Sequence, residues 1–192
     1  MTLYATMTDR QSNSMLRDML VVIAASILIA LSSKISVPFY PVPMTLQTLV
    51  IIGLSFALGP RLAVMAVLVF LAQGAAGLPV FSGTPEKGIG ITYMMGPTGG
   101  FLAGFILVAA LVGWLAQRGW DRNIFYAFIA ALAGSAVIYI PGILWLGTLV
   151  GWDKPVLAWG MYPFVLGDLT KAALVALVFP TVWRFMRQRE GS

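Results

Sequence analysis

Cysteine and histidine are both absent from the 192 residues. Without them the chain has no disulfide, no thiolate and no imidazole, the groups that most often hold zinc or haem, so no metal or other cofactor is expected. A serine-type hydrolytic site is excluded on the same ground, since it needs an imidazole base. Nucleotide-binding fingerprints are missing too. No GxxxxGK[ST] or GxGxxG follows a strand, and Gly88-Ile89-Gly90 is too short to cradle a phosphate. Charge is scarce: 10% of the residues are charged, against about 25% in an ordinary soluble domain.

What is present is apolar. Hydrophobic residues make up 59% of the chain, and long apolar stretches cover more than half its length, as expected for several helices of roughly 20 residues that cross a bilayer. Six such segments run from Met19 to Leu31, Thr45 to Leu58, Leu62 to Gly77, Pro97 to Ala116, Ile124 to Val150 and Pro163 to Trp183. Pro141 lies inside the fifth, where loss of a backbone donor predicts a kink or break within a single crossing. The first 18 residues carry Asp9, Arg10, Arg17 and Asp18 and lack the apolar core of a secretory signal, so the first segment is expected to be retained.

The net charge of +5 has a topological explanation, not a nucleic-acid one. Arg10, Arg17, Arg61, Arg118, Arg122, Arg184, Arg187 and Arg189 fall in alternate connections and in both tails, whereas Lys34, Lys87 and Lys154 fall in the others. Basic short loops stay in the cytoplasm. The expected fold is therefore an all-α membrane bundle of six transmembrane helices with both termini cytoplasmic. Its parts are an N-terminal tail (1–18), the membrane domain (19–183) and a C-terminal tail (184–192).

Asp168 and Lys171 are the acid and base inside a predicted span, in PFVLGDLTKAALVAL from Pro163 to Leu177. Three residues apart, they share one helix face. A charge there costs about 2 to 3 kcal/mol on insertion scales and is expected to face a bundle interior or polar cavity. The pair marks a ligand site, or else the two side chains simply pin the helix. Counting from Pro163, Asp168 should lie roughly 7 Å below the outer end. Gly167-Asp168 alone does not make an aspartyl protease, because no second carboxylate lies in a span to share the site. No enzymatic role is expected.

The flanking connections are candidates to complete a site. The first, Val37 to Leu49, has Pro38, Pro41 and Pro43 among aromatics and should be stiff and extended. Thr45, Gln47 and Thr48 follow, able either to cap free backbone donors or to hydrogen-bond a ligand. The third, Gly77 to Gly100, is rich in glycine and carries Phe81 and Tyr93, apolar bodies that can pack on a ligand. Ser26 and Ala30, Ala72 and Ala76, and Gly100 and Gly104 form small-xxx-small pairs that allow close helix approach.

Taken in order, PVPMTLQTL (Pro41 to Leu49), LGPRLA (Leu58 to Ala63), GLPVF (Gly77 to Phe81), GPTGGFLAGF (Gly96 to Phe105) and PFVLGDLTKAALVA (Pro163 to Ala176) resemble the BioY family of biotin transporters. The resemblance runs from the first connection to the last helix. It implies a substrate-capturing S component of an energy-coupling-factor transporter, in a bacterial inner membrane, with a biotin site near the external surface. A transmembrane T component and two ABC-type ATPases are the implied partners, docking at the first helix, where this chain offers Ser26 and Ala30. On this resemblance Asp168 would accept from the ring N–H groups of biotin. Lys171 would meet either the ring carbonyl or the carboxylate. Gln47, Phe81 and Tyr93 join them by position. A solitary or homo-oligomeric biotin carrier working without an ATPase is the alternative.

Overall fold

The computed structural model describes residues 2–7 and 14–190. Arg10 and the side chains of Arg187 and Arg189 lie outside the described residues. A short helix α1 (Leu3–Met7) precedes α2 (Ser14–Ser33), a two-stranded ribbon of β1 (Ser36–Val37) and β2 (Met44–Thr45), and α3 (Gln47–Ala75). Then come α4 (Gly90–Met94), α5 (Gly99–Gln117), a 3-10 turn at Trp120–Arg122, α6 (Ile124–Val150), α7 (Val156–Gly160), a second 3-10 turn at Tyr162–Phe164, and α8 (Val165–Glu190). Among the described residues, five helical stretches are long and apolar enough to cross a membrane.

The second of these, α3, answers for two of the expected apolar segments. Gly59 leaves helical geometry with φ 79° and ψ 177°, and Pro60 follows it. Only glycine takes that positive φ without strain, and proline opens a new helix without losing a bond, because a first-turn N–H has no intrahelical partner. A straight helix of 29 residues would hold its ends roughly 40 Å apart. Instead Gln47 at its start and Phe81 just beyond its end line the same cavity, while Gly59 packs beside Gln117 at the far end of α5. The two halves of α3 therefore run in opposite directions. Their corner is tight: a Cβ on Gly113 of α5 would lie 2.4 Å from the Pro60 nitrogen.

Pro141 does not break α6, which is one uninterrupted helix through Val150. Its start is fixed by Asn123, whose Oδ1 accepts from the Phe125 and Tyr126 amides at 2.9 and 3.4 Å. Gly100 and Gly104 let α5 close on α6, since a Cβ at either would strike the backbone of Pro141 or Ile138. The pair Ala72 and Ala76 does not pack inside the bundle: both are exposed. The first connection is a ribbon and not a single extended strap, with Ser36 paired to Thr45 and Val37 to Met44.

α3 packs on α2 and α5, α5 on α6, and α6 on α8. The core is made of side chains such as Ile52, Phe56, Phe70, Val108, Val112 and Leu146, all fully buried. Outside it Leu16, Leu20, Ile27 and Leu31 of α2 and Leu166, Leu174 and Leu177 of α8 are exposed, the face that a bundle solvated by lipid presents. Thr2, the Gly59 corner, the Trp120–Arg122 turn and the last turns of α8 share one end of the bundle. The ribbon, α4 and α7 occupy the other. Arg17, Arg61, Arg118, Arg122 and Arg184 lie toward the first end, and Lys34, Lys87 and Lys154 belong to the connections at the second.

Candidate functional site

Between the ribbon, α4 and the ends of α3, α5, α6 and α8 lies a cleft of about 610 Å³, measured out to its open mouth. All five residues singled out from the sequence line it: Gln47, Phe81, Tyr93, Asp168 and Lys171. They come from three separate stretches of chain, and each is at least nine-tenths buried.

Asp168 sits in the first turn of α8, because the α-helix proper starts at Val165 and Pro163 belongs to the preceding 3-10 turn. It is thus nearer the helix end than a count from Pro163 implies, at the positive end of the helix dipole, which favours an anion. Its Oδ1 lies 3.7 Å from Lys171 Nζ, and its Oδ2 accepts a hydrogen bond from the Tyr139 hydroxyl of α6. Lys171 Nζ in turn donates to Thr48 Oγ1 at 2.8 Å. Tyr139, Asp168, Lys171 and Thr48 form one polar chain across three helices, bordering the cleft at each member.

The threonines at the start of α3 divide their work. Thr45 Oγ1 accepts from the Gln47 amide at 3.3 Å and donates to Gln47 Oε1 at 3.1 Å, so it satisfies the first amide of α3 and holds the Gln47 side chain. Thr48 serves the cleft through Lys171. Gln47 Nε2 is buried with no hydrogen-bond partner among the described residues, a donor whose desolvation is offset when something in the cleft accepts from it.

An aromatic wall faces these groups. Phe81 stacks on Tyr93 with centroids 4.8 Å apart and 16° between planes, and meets Phe70 edge-on at 5.4 Å. Tyr93 donates its hydroxyl proton to the Ser82 carbonyl at 2.8 Å, and burial pushes its pKa up, so it stays a neutral phenol. The loop bearing Phe81 is tied to the end of α2: Lys34 Nζ donates to the Phe81 carbonyl at 2.8 Å and to Thr84 Oγ1 at 3.0 Å, and Ser33 Oγ lies 2.7 Å from the Val80 carbonyl.

Several lining residues carry no mark in the sequence. Tyr139 is one of two phenols in the apolar helix α6, and Phe101, Phe105 and Phe164 read as ordinary core. The polar hydroxyl of Tyr139, two residues before Pro141, was the available signal. One expectation is corrected. Ser26 faces inward, fully buried, with its Oγ accepting from Gln73 Nε2 at 3.2 Å, and Ala30 packs on the core, so these two do not offer an outer docking face.

The model of the BioY family matches residues 6–188, nearly the whole chain. The chain belongs to the BioY family. Among BioY relatives it is 35% identical to the probable biotin transporter BioY of Pyrococcus horikoshii over 79% of this chain and 86% of that one. It is 36% identical, over the same shares of the two chains, to the biotin transporter BioY of Thermotoga maritima. Its fold matches a crystal structure of the S-component for biotin from an ECF-type ABC transporter with a TM-score of 0.74, at 24% identity, covering 92% of this chain and 95% of the other. As a BioY protein the chain is a multi-pass membrane transport protein and not an enzyme.

Proposed function

We propose that this BioY protein holds biotin in the cleft as the substrate-capturing S component of an energy-coupling-factor transporter. The observation that carries the proposal is the buried Asp168 and Lys171 pair, set opposite the Phe81 and Tyr93 stack inside one cleft. Relatives named as biotin transporters supply the ligand's identity. Biotin has a urea-like ring, a thioether ring and a carboxylate tail. A carboxylate acceptor, a cation, a spare amide donor and an aromatic wall are its chemical complements.

Asp168 accepts from the ring N–H groups while Tyr139 holds its other oxygen. Lys171 donates to an oxygen of the ligand, and Gln47 Nε2 to a second acceptor. Phe81 and Tyr93 cover the ring system. The cleft opens on the extracytoplasmic side, since the arginine-rich end that carries both termini is the cytoplasmic one. Positions 1–18 and 184–192 are the cytoplasmic tails of the membrane domain 19–183. Capture alone does not drive accumulation, and the sequence has no ATP-binding fingerprint. A T component and two ABC-type ATPases supply the energy.

Equilibrium binding of biotin to the detergent-purified chain tests the reading. Tight binding that weakens in Asp168→Asn and Lys171→Ala is expected. Equal binding by all three rejects the site, and no binding by the native chain rejects the ligand. Uptake into vesicles by this chain alone, without ATP, would defeat the partner-dependent version in favour of a solitary carrier.

A further inference from the structure

A second groove lies at the opposite end of the bundle, between the start of α6 and the last turns of α8, with a volume of about 940 Å³ measured to its open mouth. Arg122 and Arg184 stand at its rim, and no acidic side chain is among the described residues that line it. Its floor and walls are apolar: Phe125, Phe128, Ala173 and Leu177. From Arg184 to Ala173 is eleven residues of α8, so the groove runs roughly 16 Å from the charged end up the apolar span. Arg122 is held in place by stacking over the Trp183 ring at 4.4 Å. The neighbouring Asp121, which Arg122 also attracts, is fully buried with Oδ2 accepting from Trp183 Nε1 at 2.5 Å, and it does not line the groove. The amino end of α6 adds its positive dipole to the same rim.

We infer that this groove is a binding site for an anionic phospholipid of the cytoplasmic leaflet, with the phosphate between Arg122 and Arg184 and an acyl chain along Phe125, Phe128, Ala173 and Leu177. Two guanidinium groups recognise a phosphate, but a soluble anion has no use for an apolar trough that continues into the span. An extended peptide would have to bury backbone polar groups along a trough whose described walls are apolar side chains. The chemistry at the two ends of the groove matches a lipid along its whole length.

The full chain, purified in mild detergent, is examined by native mass spectrometry with phosphatidylglycerol and phosphatidylcholine of identical acyl chains. Preferential retention of phosphatidylglycerol is expected, weakened about fivefold by Arg184→Gln and again by adding Arg122→Gln. Ala173→Phe, which fills the trough and leaves both arginines in place, should weaken retention as well. Circular dichroism verifies that each variant is folded. Equal retention of the two lipids would overturn the inference, as would unchanged retention in folded Arg184→Gln and Ala173→Phe. Displacement of the lipid by inorganic phosphate at equal concentration would reduce the groove to a simple anion site and overturn it also.

Discussion

Lys171 donates to Thr48 at 2.8 Å and so joins the outer turns of α8 and α3, 123 positions apart in the chain. The ammonium is also 3.7 Å from Asp168, so each charge in the cleft depends on a neighbour from another element or another turn. Hydrogen bonds to charged groups contribute roughly 1.5 to 3 kcal/mol. Asp168→Asn and Lys171→Ala are therefore each expected to weaken biotin binding by roughly ten- to a hundredfold. Because the two side chains act as one unit, the double variant should bind and melt less poorly than the sum of the single effects. Isothermal titration and thermal melts of the four proteins check this, and strict additivity would mean that the pair is not a unit.

Gln47 separates ligand contact from scaffold. Its Nε2 has no partner among the described residues, so Gln47→Ala removes a donor that they do not use. Affinity is expected to fall by about tenfold or less, with a melting temperature within a few degrees of the native chain. A large drop in melting temperature with unchanged affinity would assign Gln47 to structure.

Gly74 tests the aromatic wall without touching it. A Cβ there would fall 2.0 Å from the Phe81 ring. Phe81 must then leave its stack on Tyr93, and Gly74→Ala should loosen ligand binding more than it lowers helical content. Affinity measured beside circular dichroism distinguishes the two, and native affinity in the variant would show that the stack does not face the ligand.

The tie from α2 to the Phe81 loop predicts a kinetic effect. Lys34→Met removes the donor to the Phe81 carbonyl and to Thr84. Dissociation of biotin should accelerate with a smaller change in association, since opening the loop precedes escape. Surface plasmon resonance reads both rates, and an unchanged off-rate would show that the tie does not control escape of the ligand.

Asp121 gives a pH signature outside the membrane spans. Burial raises its pKa, and the Trp183 hydrogen bond and Arg122 only partly oppose that. The folded state then holds its proton to higher pH than the unfolded one, so this group's contribution to stability falls as pH rises from the ordinary carboxylate range to the raised folded value, and levels off above it. Melting temperatures of the native chain minus those of Asp121→Asn, taken from pH 4 to pH 8, should decline with pH. A difference that rises with pH would mean that the carboxylate is stabilised, not penalised, where it sits.

The charge pattern and the Asp168 and Lys171 pair were legible in the sequence because a charge in an apolar run stands out against lipid. The place of Gln47, Phe81 and Tyr93 in or beside the connections put them at the cleft. Tyr139 was not legible, since a phenol in a helix reads the same whether it meets lipid, core or a carboxylate 29 positions away. The spacing of Ser26 and Ala30 left two partners open, the bundle or another protein. Small-residue spacing says that something approaches closely, but not that the partner is Gln73 of the same chain. The Pro141 helix stayed whole and α3 turned back at Gly59, because a proline's effect depends on whether the residue before it can leave helical geometry.

The Gly59 corner has a consequence for helix phase. The two halves of α3 meet at a single residue with no loop to absorb a change of length, and a Cβ there would already lie 2.9 Å from Thr2. Each residue added to a helix turns the remainder of that helix by about 100°. One residue inserted between Thr48 and Gly59, with the corner held, would rotate Gln47 and Thr48 out of the cleft and bring lipid-facing side chains in. The two halves of α3 are thus geared to each other, so a change in the length of either shifts the phase of the residues it presents to the cleft.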